Sequence, residues 1–205
     1  MSPRLVCRRG VLPVLAADSA QIFWEGCESA IFCDVVKGIA PQQSTRVWTA
    51  WDAEEMRVLI RAEDTHIFAT LTERDAPLYT EEVVEVFLDP VGDGEGYFEI
   101  EVNPLNAVLD LVLRRSRSGW KKDFAWWCEN LRTHVRREAA AWSAELAIPF
   151  RSLAAAPPQP GDQWRVNFTR IDRPPDVPRE LTAWSATGFA NFHVPERFGV
   201  LEFSG

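Results

Sequence analysis

Residues 71–113 read LTERDAPLYTEEVVEVFLDPVGDGEGYFEIEVNPLNAVLDLVL, and this stretch decides the fold. Apolar and polar residues alternate along Glu82–Asp89 and again along Phe98–Asn103, which is the period of a β-strand and not of a helix. A Gly/Asp turn and an Asn-Pro turn separate the runs. The stretch therefore predicts three neighbouring strands with one apolar face, which the third strand continues with Leu109, Leu111 and Leu113. The opposite face carries a polar stripe of Glu85, Glu99 or Glu101, Asn103 and Asp110.

The polar stripe has two interpretations. Antiparallel sheets commonly bury one face and expose the other to water, where carboxylates keep the protein soluble. Alternatively, part of the stripe forms the floor of a concave polar site. Glu85 favours the second interpretation, because its neighbours on the same face are Val83 and Phe87. A carboxylate on a half-apolar face requires a partner, since burying an unpaired charge is costly.

The remainder of the chain continues the strand pattern. Thr45–Trp51 and Met56–Glu63 indicate a hairpin, and Gln163–Asp172 indicates a later strand. About a dozen short alternating runs, separated by Gly, Pro and Asp turns, predict an all-β fold: an antiparallel β-sandwich with at most one or two short helical turns. The 205 residues are enough for one well-covered core. We expect a single domain over residues 1–205.

Charge and hydropathy limit the partners. The net charge of −8 argues against a nucleic-acid partner, because phosphates require a basic surface. No apolar run approaches the length of a membrane span, so we expect no membrane partner. The N-terminal sequence MSPRLVCRRGVLPVLAADSA has a short apolar run broken by Pro13, which is a poor secretion signal and favours a cytoplasmic location. The oligomeric state is left open.

The four cysteines show no metal-binding spacing. Cys7, Cys27, Cys33 and Cys128 form no CxxC pair, and the three histidines are scattered, so a zinc site is not expected. Free buried thiols are one interpretation. One disulfide among the first three cysteines is the other, if the protein is exported.

The turn of residues 89–96, DPVGDGEG, is rich in carboxylates. Asp89, Asp93 and Glu95 offer the oxygen ligands that calcium prefers. Their spacing does not match an EF-hand loop, and Asp/Gly turns are common without a metal. Structural calcium at these three residues is therefore a candidate beside an ordinary hairpin turn.

Four motifs occur in a recognisable order. TLTERDAPLYTEEVVEVFLDPVGDGEGYFEIEVNPLNAVLDL is followed by WSAELAIPF, WRVNFTRID and NFHVPERFG. Together they resemble the family 9 carbohydrate-binding-module-like proteins of the DOMON-type β-sandwich group, from about Val47 to the C-terminus. The resemblance implies a jelly-roll or DOMON-like sandwich and sugar binding, with structural calcium in some relatives. It also implies an exported protein, which disagrees with the poor secretion signal at the N-terminus. Haem, which some DOMON relatives bind, is disfavoured because Met56 is the only internal methionine.

Sugar binding of that style needs aromatic faces and hydrogen-bonding side chains. We expect an indole of Trp184 or Trp51 to stack on a pyranose ring while polar side chains bind its hydroxyl groups. The polar candidates are Arg74, Glu85, Asn103, Asn167 and Arg170, with His193 in the wall of a shallow site. Structural alternatives are that Arg74 clamps its loop to the sheet and that the aromatic residues of the final loop fasten that loop to the core.

A glycoside hydrolase is the alternative function. Glu85 with Glu101 or Asp110 would supply the paired carboxylates, which hydrolysis needs roughly 5–5.5 or 6.5–9.5 Å apart. The sequence contains no nucleophile or metalloprotease motif such as GxSxG or HExxH. We therefore favour a non-catalytic carbohydrate-binding domain over an enzyme.

Overall fold

The computed structural model describes residues 2–15, 20–154, 156–173 and 178–205. Within these ranges the chain forms fourteen strands: β1 (Arg4–Arg9), β2 (Ser29–Ile31), β3 (Cys33–Asp34), β4 (Thr45–Trp51), β5 (Glu55–Glu63), β6 (Val83–Asp89), β7 (Gly96–Val102), β8 (Val108–Ser116), β9 (Gly119–Asp123), β10 (Arg132–Arg137), β11 (Ala141–Pro149), β12 (Gln163–Asp172), β13 (Glu180–Ala183) and β14 (Gly199–Phe203). The same ranges hold one short helix, α1 (Ala20–Glu25), and three 3-10 turns at Leu78–Thr80, Phe150–Ser152 and Pro195–Arg197. The predicted all-β class is confirmed, with more helical turns than the one or two expected.

The strands form two layers that share one strand. The front sheet runs β1-β14-β12-β6-β7-β8-β9. Strand β13 pairs with the same edge of β12 as β14 does, and β3 pairs with β13. The back sheet runs β10-β11-β5-β4, with β2 and the end of β1 on the far edge of β4. Strand β1 pairs with β14 through Arg4–Cys7 and with β4 through Arg8 and Arg9. This strand therefore joins the two layers of the sandwich.

The main core lies between the two sheets. Alternation directs Val84, Val86 and Leu88 of β6 into it, where they meet residues of the back sheet such as Ile60 and Trp142. A sandwich gains most of its stability from such apolar burial between layers. The apolar face that alternation predicts for β6 is therefore correct.

A second apolar cluster covers the outer face of the front sheet. Val83, Phe87 and Leu111 belong to it together with Phe192 and Phe198 from the final loop. The rings of Phe192 and Phe198 lie 6.3 and 5.8 Å from the ring of Phe87. The loop between β13 and β14 is thus fastened over the sheet, as one of the two interpretations of this loop expected.

The predicted orientation of β8 is wrong. Asp110 lies opposite Ile100 in the register, on the side of the main core, while Leu111 lies opposite Glu99 on the outer face. The leucine row of β8 therefore shares the face of the glutamates, and Asp110 leaves the polar stripe. Both faces of β8 are covered by apolar residues, so alternation alone did not reveal which face was which.

The polar stripe is buried and not exposed to water. Glu85, Glu99, Glu101 and Asn103 are each at most 3% exposed, because loops close over the outer face of the front sheet. The interpretation of the stripe as a solvated face is therefore wrong for these residues.

The four cysteines form no disulfide bond. All four cysteines are free thiols, three of them buried and Cys33 half-buried, as the first of the two interpretations held. No helix in the described part of the chain is both long and apolar enough to cross a membrane.

Candidate functional site

A cleft opens on the outer face of the front sheet, and we call it the front cleft. Its volume is about 150 Å³. Strands β6, β7 and β9 contribute three of its charged side chains, and Arg179, just before β13, contributes another. The loops before β6 and after β13 contribute its aromatic side chains. The lining residues are Tyr79, Glu85, Glu99, Lys122, Ile171, Arg179, Leu181, Ala190, Asn191, Phe192 and His193.

Three glutamates meet at the floor of the front cleft. Glu85 of β6 lies directly opposite Glu101 of β7, and Glu99 follows two positions along on the same face. The three side chains each offer a carboxylate oxygen, and these oxygens all lie within 4.8 Å of one another. We call Glu85, Glu99 and Glu101 the glutamate trio. The hydroxyl of Thr169, which lies opposite Glu85 on β12, donates a hydrogen bond to that carboxylate.

Burial changes the acidity of the trio. It raises the pKa of Glu85 to about 8, with a further contribution from the charge of Glu99. Burial also raises the pKa of Glu99 to about 7, against the lowering effect of the Lys122 ammonium. The pKa of Glu101 is raised well above its usual value, first by burial and then by the charges of its two neighbours. Burial therefore favours the protonated, uncharged form of all three carboxyl groups.

His193 forms one wall of the front cleft. Its Nδ1 lies 2.9 Å from the hydroxyl of Tyr97 and 3.9 Å from a carboxylate oxygen of Glu99. Its Nε2 lies 3.5 Å from Nζ of Lys122. Burial, followed by the charge of Lys122, lowers the pKa of His193 to about 4, so the imidazole is neutral at pH 7. A neutral imidazole can accept one hydrogen bond and donate another.

Aromatic rings are exposed at the front cleft. Tyr79 lines it and is 42% exposed. The Nζ of Lys122 lies 5.8 Å from the centre of the Tyr79 ring. Phe189, next to the lining residue Ala190, is 60% exposed. Sequence reasoning missed Tyr79 and Lys122, although an aromatic residue in the polar loop six positions before Glu85 was a usable signal.

The two predicted tryptophan platforms lie in the core. Trp51 is 1% exposed and its Nε1 donates to the carbonyl of Ser204, 3.0 Å away. Trp184 is 6% exposed, packs against Phe168, and leaves no room for a side chain at position 199. A buried indole offers no free face to a ligand, so stacking by either tryptophan stays a prediction that their burial does not support.

The predicted Arg170 lies between the sheets and not at the cleft. It is 1% exposed, and its Nη2 lies 3.0 Å from Asp64, 2.9 Å from Glu82 and 3.3 Å from Asp172. Burial, followed by a hydrogen bond with Asp64, raises the pKa of Glu82 to about 8. We call Asp64, Glu82 and Asp172 the aspartate–glutamate cluster, and Arg170 forms ion pairs with all three.

Two predicted asparagines hold loops in place. Asn103 donates to the carbonyl of Leu71 at 2.7 Å and accepts from the backbone N–H groups of Leu105 and Ala107. Asn167 exchanges hydrogen bonds with the backbone of Ser185 in both directions. Both side chains are fully buried, so their hydrogen-bonding capacity is used within the protein.

Arg74 clamps its loop to β8. Its Nη2 lies 2.6 Å from Oδ1 of Asp110, whose other oxygen accepts from the backbone N–H of Cys128. Its guanidinium lies 4.0 Å from the centre of the exposed Trp127 ring. This contact agrees with the structural alternative for Arg74, a clamp between its loop and the sheet, and neither Arg74 nor Asp110 lines the front cleft.

The carboxylates of Asp89 and Asp93 in the β6–β7 turn accept hydrogen bonds from the backbone, while Glu95 forms an ion pair with Arg115 at 3.4 Å. Asp89 accepts from the N–H groups of Gly92 and Gly94 at 2.7 and 3.0 Å, and Asp93 accepts from that of Glu95. Among the described residues, the two acidic groups that approach closely enough to share a metal are the glutamate trio and the aspartate–glutamate cluster. Calcium at the turn stays a prediction without a converging ligand set.

A second cleft of about 610 Å³ opens beside the aspartate–glutamate cluster. No aromatic side chain of the described residues lines it. Its lining residues are Gln42, Gln43, Arg61, Glu63, Asp64, Thr65, Ala140, Ala141, Asp172, Pro178 and Glu180. The front cleft is the better candidate site because, of the two, its described lining combines an exposed aromatic ring, Tyr79, with charged groups.

Comparison with known proteins agrees with the β-sandwich fold. The model of the carbohydrate family 9 binding domain-like family matches residues 19–205, and no curated protein matches the chain. A family 9 carbohydrate binding module from Caldicellulosiruptor kristjanssonii in complex with cellotriose has a TM-score of 0.74 at 18% identity, covering 98% of this chain and 94% of that one. The glucose complex of a family 9 module from the same organism has a TM-score of 0.73 at 18% identity, over 98% and 96%. A Bacteroides uniformis ATCC 8492 protein has a TM-score of 0.79 at 17% identity and covers both chains fully.

Proposed function

The chain belongs to the carbohydrate family 9 binding domain-like family, and we propose that it binds a sugar in the front cleft without chemical turnover. The observation that carries the proposal is the combination of an exposed aromatic ring with charged groups in one small cleft. The centre of the Tyr79 ring lies 5.8 Å from the ammonium of Lys122, and Glu85 and Glu99 line the same cleft. A sugar ring has the matching surface, with an apolar C–H face and a rim of hydroxyl groups.

Each wall of the cleft has a role in this proposal. The Tyr79 ring stacks on the apolar face of the sugar, which is the usual function of an exposed aromatic with little conformational entropy to lose. Lys122 and Arg179 donate hydrogen bonds to hydroxyl oxygens, and Glu85 accepts from a hydroxyl. Neutral His193 either donates or accepts. Glu85 and His193 are thus the two members of the predicted site that the cleft brings together.

The size of the cleft favours a single sugar unit. Its volume of about 150 Å³ is below the roughly 300–1,000 Å³ of pockets that hold drug-sized ligands. An oligosaccharide would therefore place one unit inside and leave the others outside the cleft. The two family 9 modules with glucose and cellotriose define the first ligands to test.

Hydrolysis is not favoured by the positions of the acidic groups. Glu85 and Asp110 lie on opposite faces of the front sheet, and Asp110 is paired with Arg74. A retaining enzyme needs both of its carboxyl groups beside the bound sugar. Glu101 is also 1% exposed and is not part of the cleft lining, so it cannot act as nucleophile.

The test is Tyr79→Ala measured by isothermal titration against glucose, cellotriose and a panel of other pentoses and hexoses. We expect about tenfold weaker binding, which corresponds to about 1.4 kcal/mol. Phe68→Ala is the matched control, since Phe68 is 40% exposed and lies outside the cleft lining. A panel without any binding to the folded wild type, or equal losses in both variants, would refute the proposal.

A further inference from the structure

One tryptophan is exposed outside the front cleft. Trp127, in the loop between β9 and β10, is 59% exposed, while the other eight tryptophans are buried or half-buried. Phe124 of the same loop is 48% exposed. Single exposed apolar side chains are common on protein surfaces, so the surroundings of Trp127 decide whether its ring has a role.

The indole of Trp127 is fixed by a buried carboxylate. The Arg74 guanidinium lies 4.0 Å from the centre of the ring, and Nη2 of Arg74 lies 2.6 Å from Oδ1 of Asp110. The other oxygen of Asp110 accepts from the backbone N–H of Cys128, the residue after Trp127, at 2.9 Å. Asp110 thus holds both the cation that packs on the ring and the backbone that carries the ring.

The rest of the loop is held as well. The Trp126 ring lies 4.9 Å from the ring of Phe98 and packs against the main core. The hydroxyl of Ser152 donates to the carbonyl of Glu129 at 3.1 Å. A side chain that is already immobilised loses little conformational entropy when a ligand covers it. Trp127 therefore combines exposure with a fixed position, which are the properties that a stacking platform for a sugar ring requires.

Two segments of chain connect this indole with the front cleft. Tyr79 and Lys122 line the cleft, and Arg74 and Trp127 each lie five residues along the chain from one of them. Five residues span at most about 18 Å when fully extended, and the 3-10 turn at Leu78–Thr80 shortens the first segment. An oligosaccharide of a few units with one end in the front cleft can therefore reach the indole.

We propose that Trp127 is an outer subsite that stacks on one unit of a neutral oligosaccharide whose end lies in the front cleft. This inference rests on the proposed function. Arg74 covers one face of the indole, so one face remains for a single sugar unit. The guanidinium charge is already paired with Asp110, so the subsite offers an apolar surface and no free cation for an acidic group. Phe124 lies between the two subsites along the chain and extends the aromatic surface.

The experiment compares one sugar unit with three by isothermal titration into full-length protein. The pairs are glucose with cellotriose, xylose with xylotriose, and mannose with mannotriose. For the sugar that binds, we expect at least tenfold tighter binding of the trisaccharide to the wild type. Trp127→Ala should remove most of this difference and leave the monosaccharide affinity unchanged, whereas Tyr79→Ala should weaken both ligands. Phe68→Ala is the matched control and should change neither, since Phe68 is 40% exposed and lies outside the cleft lining.

A second measurement needs no variant. Trp127 is the most exposed tryptophan, so acrylamide quenches its fluorescence more readily than that of the buried ones. The trisaccharide should protect part of the fluorescence from acrylamide, and the monosaccharide should not. Equal protection by both ligands at saturation, or none by either, would contradict stacking on Trp127.

The variants separate this inference from the proposed function. Monosaccharide binding that depends on Tyr79, with no selective loss of the trisaccharide in Trp127→Ala, would overturn the outer subsite and keep the front cleft. Trisaccharide binding that depends on Trp127 but not on Tyr79 would refute the proposed cleft and retain Trp127 as a platform. A wild-type dimer that dissociates in Trp127→Ala would overturn the subsite, because the ring would then belong to an interface between copies. A wild type that binds no sugar of either length would refute both.

Discussion

Arg170 is the residue whose replacement separates structural from ligand-binding roles most clearly. Its Nη2 lies within 3.3 Å of three buried carboxylates, and its Nη1 donates to the carbonyl of Glu63 at 2.8 Å. Replacing it by methionine keeps most of the side-chain volume but leaves the aspartate–glutamate cluster without a cation. Removing one partner of a buried ion pair costs about 3–5 kcal/mol, against a total stability of about 5–15 kcal/mol for a domain. We expect a loss of this size for Arg170→Met in urea unfolding at pH 8.

The pH dependence of this loss follows from Glu82. Its pKa is about 8 in the folded protein and lower when the chain is unfolded, so its protonated form stabilises the fold. That contribution is present below the unfolded pKa and is lost as pH rises through about 8. Without Arg170 the folded pKa rises further, so the deficit of Arg170→Met should be smaller at pH 5 than at pH 8. Combining it with Glu82→Gln should recover part of the loss at pH 8.

Arg170→Lys is the matched control for the charge. A lysine ammonium keeps the positive charge but lacks the planar fork of a guanidinium, so we expect a smaller loss than for methionine. Sugar affinity of the folded fraction should be unchanged in both variants, because Arg170 does not line the front cleft. An Arg170→Met protein of wild-type stability that had lost sugar binding would refute this reasoning and make Arg170 a ligand.

Two further substitutions test the packing around the site. Gly199→Ala would place a Cβ 2.4 Å from the Trp184 ring, and overpacking of this kind costs about 1–3 kcal/mol; a melting temperature equal to that of the wild type would contradict the buried position of Trp184. Arg74→Ala leaves the buried Asp110 carboxylate with a backbone donor but no cation, so we expect a loss of about 1–3 kcal/mol in urea unfolding with unchanged glucose affinity. Loss of glucose affinity at full stability would instead support the prediction of Arg74 as a ligand.

Alternation was sufficient for strands with one apolar and one mixed face. In β6 it separated Val84 from Glu85 correctly, and the two interpretations of the stripe included the buried floor that the structure has. Alternation was insufficient for β8, because the second apolar cluster covers the outer face of this strand. The apolar row that contains Leu111 could therefore face either the main core or that cluster. A period of two fixes the alternation of a strand but not its phase when both faces are covered.

The local sequence does not show which aromatic residues lie at the cleft. Trp184 and Tyr79 are both aromatic residues near turns, yet one is buried and the other is 42% exposed. What decides between them is the path of the loop between β13 and β14, which Phe192 and Phe198 fasten across the sheet. Contacts of this kind join distant parts of the chain, so they follow from the tertiary fold and not from local pattern.

The strand that joins the two sheets also determines when the sandwich can close during folding. Arg4 of β1 forms an ion pair with Glu202 of β14, 198 residues further along the chain. Contacts between such distant residues carry the full entropy cost of loop closure and slow the folding of β proteins. During synthesis on the ribosome, β1 cannot pair with β14 until almost all of residues 1–205 have been made. We therefore expect the part of β1 that pairs with β14, Arg4–Cys7, to be available to other partners for most of that time.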